Sequence, residues 1–404
     1  MILTIPFSKT NINIESPIVV YGAGVYGEIA YLALNQCGLS IDFFCDRYRT
    51  GEFLGVRIIT PKMLKDIPDS QVIIASRDYF YEIKKVLISC GFKRIYDMRE
   101  LIAMNLPVEK LSNRARDMYF QRQVYIHVAN HQGDILSNIH RLQFIVTERC
   151  SLKCKDCTHL MQYYEKPQDV DITKYIVSFE RLLNMLGTIS ELRILGGEPF
   201  MNRETYKLIK RYASNNKINM ITVYSNGTII PNEDTLKTLE NDKVTLHISA
   251  YGEHNKKRID ELTKCLNQYN IKYIVRVYDS WQEGGNLTKR HYSEAHKRKI
   301  FSACFERSCY SFLRGKLHRC PRSAHAMNLQ AMPDVSNDYV DFTDENMSDE
   351  ELKMKLLDLQ NREWIEACDY CEGPNNVTQH IIPAIQTKFP LKYEKINNSK
   401  NLRE

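Results

Sequence analysis

Three cysteines fall within eight residues of this chain: Cys150, Cys154 and Cys157, in the run CSLKCKDC. One loop of that length can wrap three thiolates around a metal centre, and thiolates select iron–sulfur clusters or zinc. A structural zinc site closes with four ligands, commonly from paired Cys-x-x-Cys units, whereas three cysteines without a local fourth leave one metal position open. The spacing therefore points to a cluster with one accessible iron, and zinc is the competing reading. Five more cysteines follow near the C-terminus: Cys304, Cys309, Cys320, Cys368 and Cys371. A closed cluster needs four thiolates, and this region offers five. A zinc site on Cys309, Cys320, Cys368 and Cys371 is the alternative there. Cys37, Cys45, Cys90 and Cys265 stand alone in apolar or helical surroundings and read as small hydrophobes.

These residues need a scaffold, and the hydrophobic pattern supplies one. Strand-like runs recur at LQFIVTE (142–148), ELRILGG (191–197), NMITVYSNG (219–227), VTLHISA (244–250) and IKYIVRVY (271–278), with helical stretches between them. That rhythm predicts a partial or complete α/β barrel, with chemistry at the C-terminal ends of its strands. The triad follows the first strand, Gly196-Gly197-Glu198-Pro199 the second and Ser225-Asn226-Gly227 the third, while His247 and Ser249 lie on the fourth. Glycine at 196 and 197 leaves room for close backbone approach.

In this order the motifs resemble the radical S-adenosylmethionine (SAM) superfamily, whose signature Cys150-x3-Cys154-x2-Cys157 matches. The sequence departs from the family at Asp156, where an aromatic residue is common. The resemblance implies a [4Fe–4S] cluster on the three thiolates, with S-adenosylmethionine chelated to the fourth iron. Electron transfer then cleaves the sulfonium to methionine and a 5′-deoxyadenosyl radical, which abstracts a substrate hydrogen. It further implies that Gly196, Gly197 and Glu198 receive the cofactor's ammonium group, and that Ser225, Asn226, His247 and Ser249 contact its ribose and carboxylate. Cys304-x10-Gly315-x4-Cys320 with Cys368-x2-Cys371 resembles the Twitch/SPASM extension, implying an auxiliary [4Fe–4S] cluster; family spacing favours Cys304, and proximity to the Gly315–Cys320 hairpin favours Cys309.

Residues 17–100 show a separate alternation: PIVVYGAG, a helical stretch from Tyr26 to Cys37, IDFFCD, QVIIAS, a second helical stretch from Tyr79 to Cys90, and RIYDM. This predicts a small parallel sheet covered by helices. Gly22, Gly24 and Gly27 form G-x-G-x-x-G between strand and helix, and Asp46 ends the next strand 19 residues after Gly27. In that context phosphates can sit at the helix N-terminus with the acid on a ribose hydroxyl. The segment FFCDRYRTGEFLGVRIITPKML resembles small Rossmann-like domains of sugar-nucleotide and surface-glycan enzymes; a structural unit without ligand is the bland alternative.

The fold class expected is therefore α/β: a Rossmann-like parallel sheet over 1–104, a linker with one helix over 105–140, a partial (β/α)6 radical SAM barrel over 141–290, and a small irregular iron–sulfur region over 291–404. Net charge is +6, from 55 basic and 49 acidic side chains, and the basic run from Lys289 to Lys299 lacks the aromatic interleaving of a nucleic-acid surface. No apolar stretch approaches the ~18 residues of a membrane helix, and the N-terminus lacks a secretory pattern, so a cytoplasmic location is expected. Twelve cysteines in that setting argue for metal chemistry rather than disulfides. The expected function is hydrogen abstraction from a sugar or sugar nucleotide for surface-glycan or related biosynthesis, with an external electron donor such as flavodoxin or ferredoxin. Peptide modification and a non-catalytic iron–sulfur or zinc scaffold are the competing functions.

Overall fold

The computed structural model describes residues 4–8, 11–13, 15–130, 135–374 and 378–396. The chain forms two compact units, Met1–Gly133 and Asp134–Glu404. Among the described residues no helix is long and apolar enough to cross a membrane.

In the first unit, short β-branched runs form β1 (Ile5–Pro6), β2 (Ile18–Tyr21), β3 (Phe43–Cys45), β4 (Glu52–Phe53), β5 (Val56–Ile59), β6 (Gln71–Ile74) and β7 (Ile95–Asp97). Their order is β1-β7-β6-β2-β3-β5-β4. All pairs are parallel except β4 with β5. Every residue of β2 and β6 is buried, as expected when both faces of a parallel sheet are covered. Helices Val25–Gln36 and Phe80–Ser89 stand where the apolar period predicts them. The β4–β5 hairpin was not expected; it turns on Leu54 and Gly55, which take φ of 53° and 76°, the paired left-handed conformation of a tight hairpin.

The expected linker is different in kind. Among its described residues it contains a 3-10 turn, Val108–Lys110, and two α-helices, Asn113–Phe120 and Arg122–Asn130, rather than one helix. Leu106, Leu111, Ala115, Tyr119, Tyr125 and Val128 join the apolar core of the first unit. Tyr125 ties them down, donating to Ile74 O at 2.5 Å and accepting from Met98 N at 3.2 Å. Residues 131–134 of that stretch lie outside the described residues.

The second unit is organised by β8 (Asn138–Ile145), β9 (Thr188–Leu195), β10 (Ile218–Ser225), β11 (Val244–Ala250) and β12 (Tyr273–Val277). All four successive pairs are parallel, joined by helices Ile172–Met185, Thr205–Ala213, Glu233–Leu239 and Lys256–Gln268. Asp171 starts the first helix by accepting from Thr173 N and Lys174 N. Strand period then sorts the side chains. Leu142, Phe144, Leu192, Ile194, Val223 and Leu246 pack with helix residues such as Phe179 and Tyr212, the Phe144 and Phe179 rings lying 4.9 Å apart. The register aligns Gln143 with Arg193 and Arg193 with Thr222 on the alternate face, which is polar.

A complete barrel is not formed among the described residues. After β12 and the short β13 (Trp281–Gln282), which pairs with β17 (His380–Ile381) in a separate ribbon, the chain returns to the far side of β8. There β14 (Tyr310–Leu313) pairs parallel with β8, and β15 (Lys316–His318) and β16 (Tyr339–Asp341) extend it antiparallel. The sheet is thus open, in the order β12-β11-β10-β9-β8-β14-β15-β16. The C-terminal region, read from sequence as irregular, supplies three of its strands, because YSFL is buried at every position and the Arg314–Gly315 turn, with φ of 51° and 80°, folds the chain straight back.

Candidate functional site

Backbone pairing at the C-terminal end of β8 prepares the cysteine loop. Val170 N bonds Val146 O at 3.1 Å and Glu148 N bonds Gln168 O at 2.9 Å, while Thr147 Oγ1 donates to Asp169 at 2.6 Å and Arg149 spans to the same carboxylate at 2.8 Å. On the other side Gly197 N donates to Thr147 O at 2.9 Å and Glu198 N to Arg149 O at 2.8 Å. The space that glycine leaves at 196 and 197 is filled by the chain itself. A Cβ on Gly196 would lie 2.2 Å from Thr147 O, and one on Gly197 would lie 2.1 Å from Arg149 O and 2.9 Å from Cys150 Cβ. These glycines let two backbones touch immediately beside the first thiol.

Glu198 is fully buried. Its carboxylate accepts from Ser225 Oγ at 3.0 and 3.1 Å, from Asn226 N at 2.8 Å and from Phe200 N at 3.4 Å. Burial pushes its pKa up to about 7 against these favourable donors. Asn226 in turn donates through Nδ2 to Ser151 Oγ at 3.0 Å and to Cys150 Sγ at 3.6 Å. The structure therefore joins three sequence motifs, at the ends of β8, β9 and β10, in one hydrogen-bonded unit.

The thiols of Cys150, Cys154 and Cys157 are near enough to influence one another electrostatically, and burial raises all three pKa values, that of Cys154 to about 11. Metal binding would expel these protons. Among the described residues no three His, Cys, Asp or Glu side chains sit close enough to share a single ion. Tyr251, which sequence reading missed, is buried close enough to Ser249, Cys154 and Cys157 to feel them electrostatically, and burial raises its pKa; its ring stands 5.8 Å from Tyr278 and 5.5 Å from Trp281. It arrives from the end of β11, so no motif near the cysteines announces it.

His247 lies four residues before Tyr251, on the polar face. It stacks on Tyr224 at 4.5 Å, with Nδ1 buried and without a hydrogen-bond partner among the described residues. Burial, aided by Arg276 and Arg193, lowers its pKa to about 4, so the ring is neutral near pH 7. Arg193 pairs with Glu191 at 2.9 Å and lies 5.1 Å from the Tyr224 ring centroid; Arg276 lies 4.7 Å from that of Tyr278.

The C-terminal cysteines separate into four and one. Cys304 ends helix Glu294–Ala303 and Cys320 caps helix Pro321–Asn328. The electrostatic surroundings of Cys304, Cys320 and Cys368 include one another or Cys371. Three of their sulfurs accept backbone amides: Glu306 N to Cys304 at 3.4 Å, Ser323 N to Cys320 at 3.3 Å and Gly373 N to Cys371 at 3.3 Å. Cys309 is fully buried, with Glu306, Arg141, Arg193 and Glu191 around it.

In the first unit, Gly22 has φ +123°, and a Cβ there would lie 2.6 Å from Ala75 O; one on Gly27 would lie 2.1 Å from Gly22 O. Gly24 alone opens onto free space, with nothing within 4 Å of such a Cβ. Asp46 does not project freely. It accepts from Ala23 N at 3.0 Å, Tyr48 N at 2.8 Å and Arg49 N at 3.1 Å, and Arg49 donates to Ala23 O at 2.6 Å.

Residues 144–285 match the family model described as the Radical SAM superfamily. The GTP 3′,8-cyclase of Clostridium acetobutylicum is 30% identical over 144 residues, covering 35% of this chain and 43% of that protein. The corresponding enzyme of Syntrophomonas wolfei is 33% identical over 98 residues, covering 23% and 28%. The chain thus spans less than half the length of these curated relatives. Among solved structures, BtrN in complex with AdoMet and 2-DOIA gives a TM-score of 0.38 at 15% identity, covering 63% of this chain and 97% of that one. Streptococcus suis SuiB bound to S-adenosylmethionine gives 0.29 at 16% identity, covering 50% and 45%.

Proposed function

We propose that this radical SAM enzyme holds a [4Fe–4S] cluster on Cys150, Cys154 and Cys157, binds S-adenosylmethionine beside it, and abstracts a hydrogen from a sugar or sugar nucleotide. The observation that carries the reading is the unit formed by the cysteine loop, Glu198 and the Ser225–Asn226 turn. Once bound and reduced by an external donor of the flavodoxin or ferredoxin kind, cluster and cofactor would supply a 5′-deoxyadenosyl radical. The residues' own work is positional. Gly196 and Gly197 set the loop against β9, Glu198 fixes the Ser225–Asn226 turn, and Asn226 reaches Cys150. Glu198 would receive the cofactor's ammonium as the family resemblance implies, and Tyr251, near Cys154 and Cys157, would offer the aromatic surface that Asp156 does not.

Cys304, Cys320, Cys368 and Cys371 are the set we assign to an auxiliary cluster, and Cys309 is left out. A negatively charged substrate suits the polar face of the second unit, where Arg141 is the register partner of Glu191, Arg193 pairs with Glu191, and Arg193 and Arg276 both lie close enough to His247 to lower its pKa. The Rossmann-like first unit would recognise a nucleotide through Gly24, the one loop glycine with open space, and Arg49 next to it. The names of the curated relatives point the same way, towards a nucleotide substrate.

The test is anaerobic reconstitution of wild type and of the triple variant Cys150→Ala, Cys154→Ala, Cys157→Ala. Wild type should convert S-adenosylmethionine to 5′-deoxyadenosine under reductant, and the variant should lose about four irons and all cleavage. Persistent cleavage refutes the assignment. Deuterated nucleotide sugars and GTP, screened for label transfer into 5′-deoxyadenosine, then distinguish the substrates.

A further inference from the structure

The segment from Ala384 to Ile396 runs against the cysteine loop, more than 200 residues away in sequence. Lys155 N donates to Ile385 O at 2.7 Å and Thr387 N to Lys153 O at 2.8 Å, giving an antiparallel bridge between Cys154 and Gln386. Farther along, Leu391 N donates to Gln162 O and Ile396 N to Gln330 O, each at 2.8 Å, and Tyr393 Oη donates to Leu329 O at 2.9 Å. This strap is held at several points, and Gln386 is aimed at one of the three thiols.

The orientation of the Gln386 amide is set by its partners. Lys153 N–H can only donate, so the atom 2.6 Å from it is Oε1. Nε2 is then the atom 3.3 Å from Cys154 Sγ, with its other proton on Ala384 O at 2.7 Å. Ala384 adopts φ +56°, which turns its carbonyl into the chelate. Cys154 is itself buried, at 8% exposure, so this amide is a large part of the sulfur's polar surroundings.

We infer that Gln386 is a positioning residue for the cluster of the Cys150, Cys154 and Cys157 loop, donating a hydrogen bond to the Cys154 thiolate and thereby favouring the cluster's reduced state. The inference rests on the cluster assignment proposed above. Reduction adds negative charge that spreads onto the thiolate sulfurs, and a donor to sulfur stabilises that charge, so its removal makes reduction harder. Gln386→Glu is the informative change. It keeps an acceptor for Lys153 N but replaces the donor facing Cys154 with a carboxylate oxygen, while the backbone pairing of the strap is untouched.

Full-length wild type and Gln386→Glu would be reconstituted anaerobically and titrated potentiometrically, following the cluster whose electron paramagnetic resonance responds to added S-adenosylmethionine. Poised at the wild-type midpoint, the variant's reduced-to-oxidised ratio should fall about tenfold, which for a one-electron couple is ~59 mV, with iron content unchanged. Gln386→Met, neutral and without a donor, should shift in the same direction by less. Equal midpoints in all three proteins overturn the inference while leaving the cluster assignment intact. Loss of iron from both variants also overturns it, because the residue would then be structural. A wild type that takes up no S-adenosylmethionine-responsive cluster removes the underlying assignment instead.

Discussion

Replacing Gly197 by alanine tests whether the glycine pair serves the chain's own backbone. The added Cβ would sit 2.1 Å from Arg149 O, 2.5 Å from Arg149 C and 2.9 Å from Cys150 Cβ, where ordinary contact begins at 3.4 Å. Relieving the closest approach requires a displacement of about 1.3 Å, and the atoms that must move are the backbone just before Cys150, the first of the proposed ligands. Overpacking of this kind costs about 1–3 kcal/mol, and a shift of that size exceeds the tolerance of a preorganised ligand set. Both tryptophans, Trp281 and Trp364, belong to the second unit, so their fluorescence in urea reports on that unit. We expect Gly197→Ala to lower its unfolding midpoint and to reduce iron and sulfide per chain after reconstitution. Gly24→Ala, whose Cβ meets nothing within 4 Å, should do neither. A Gly197→Ala protein with wild-type iron and midpoint would refute the close-packing argument.

Three further outcomes follow from the same geometry. Cys304→Ala should lose auxiliary iron whereas Cys309→Ala should keep it, by iron analysis in the triple-alanine background; equal losses would contradict the separation of Cys309. Glu198, whose pKa is raised from 4.5 to about 7 by burial, binds its proton more tightly folded than unfolded, so stability declines as pH rises across that window, by about 3 kcal/mol in total. Glu198→Gln, measured by tryptophan fluorescence in urea without cluster or cofactor, should flatten this decline; an unchanged pH slope would show that the carboxyl is ionised at little cost. Gly24→Val should abolish calorimetric binding of a nucleotide sugar to wild type's first unit without changing uncoupled 5′-deoxyadenosine formation, whereas binding that survives the change would remove the loop from the site.

How much was legible in the sequence follows from how local each signal is. The CSLKCKDC loop, the βα rhythm from 142 to 278 and the glycine loop after β2 are patterns within a few residues, governed by side-chain period and ligand spacing. Each appears in the structure at the expected strand end. The pairing of β14 with β8 is different: it joins residues 168 apart in sequence, Ser311 with Gln143, and no local period encodes which edge a later strand will find. The proposed choice of Cys304 over Cys309 likewise rests on tertiary contacts, since both spacings reach four thiolates and Cys371 and Cys320 are electrostatic neighbours of Cys304, whereas Glu306 and Arg141 lead for Cys309. Gly196 and Gly197 were visible as glycines, but what fills their space, the Thr147–Cys150 backbone, became evident only when β8 and β9 lay side by side. Gln386 carries no sequence signal at all: a lone glutamine in a polar tail acquires its meaning when the strap pairs with the loop and aims its amide at Cys154. Sequence determined which atoms could do the chemistry, because that depends on residue type; tertiary structure decided which of them meet, because chain-distant contacts are fixed by packing.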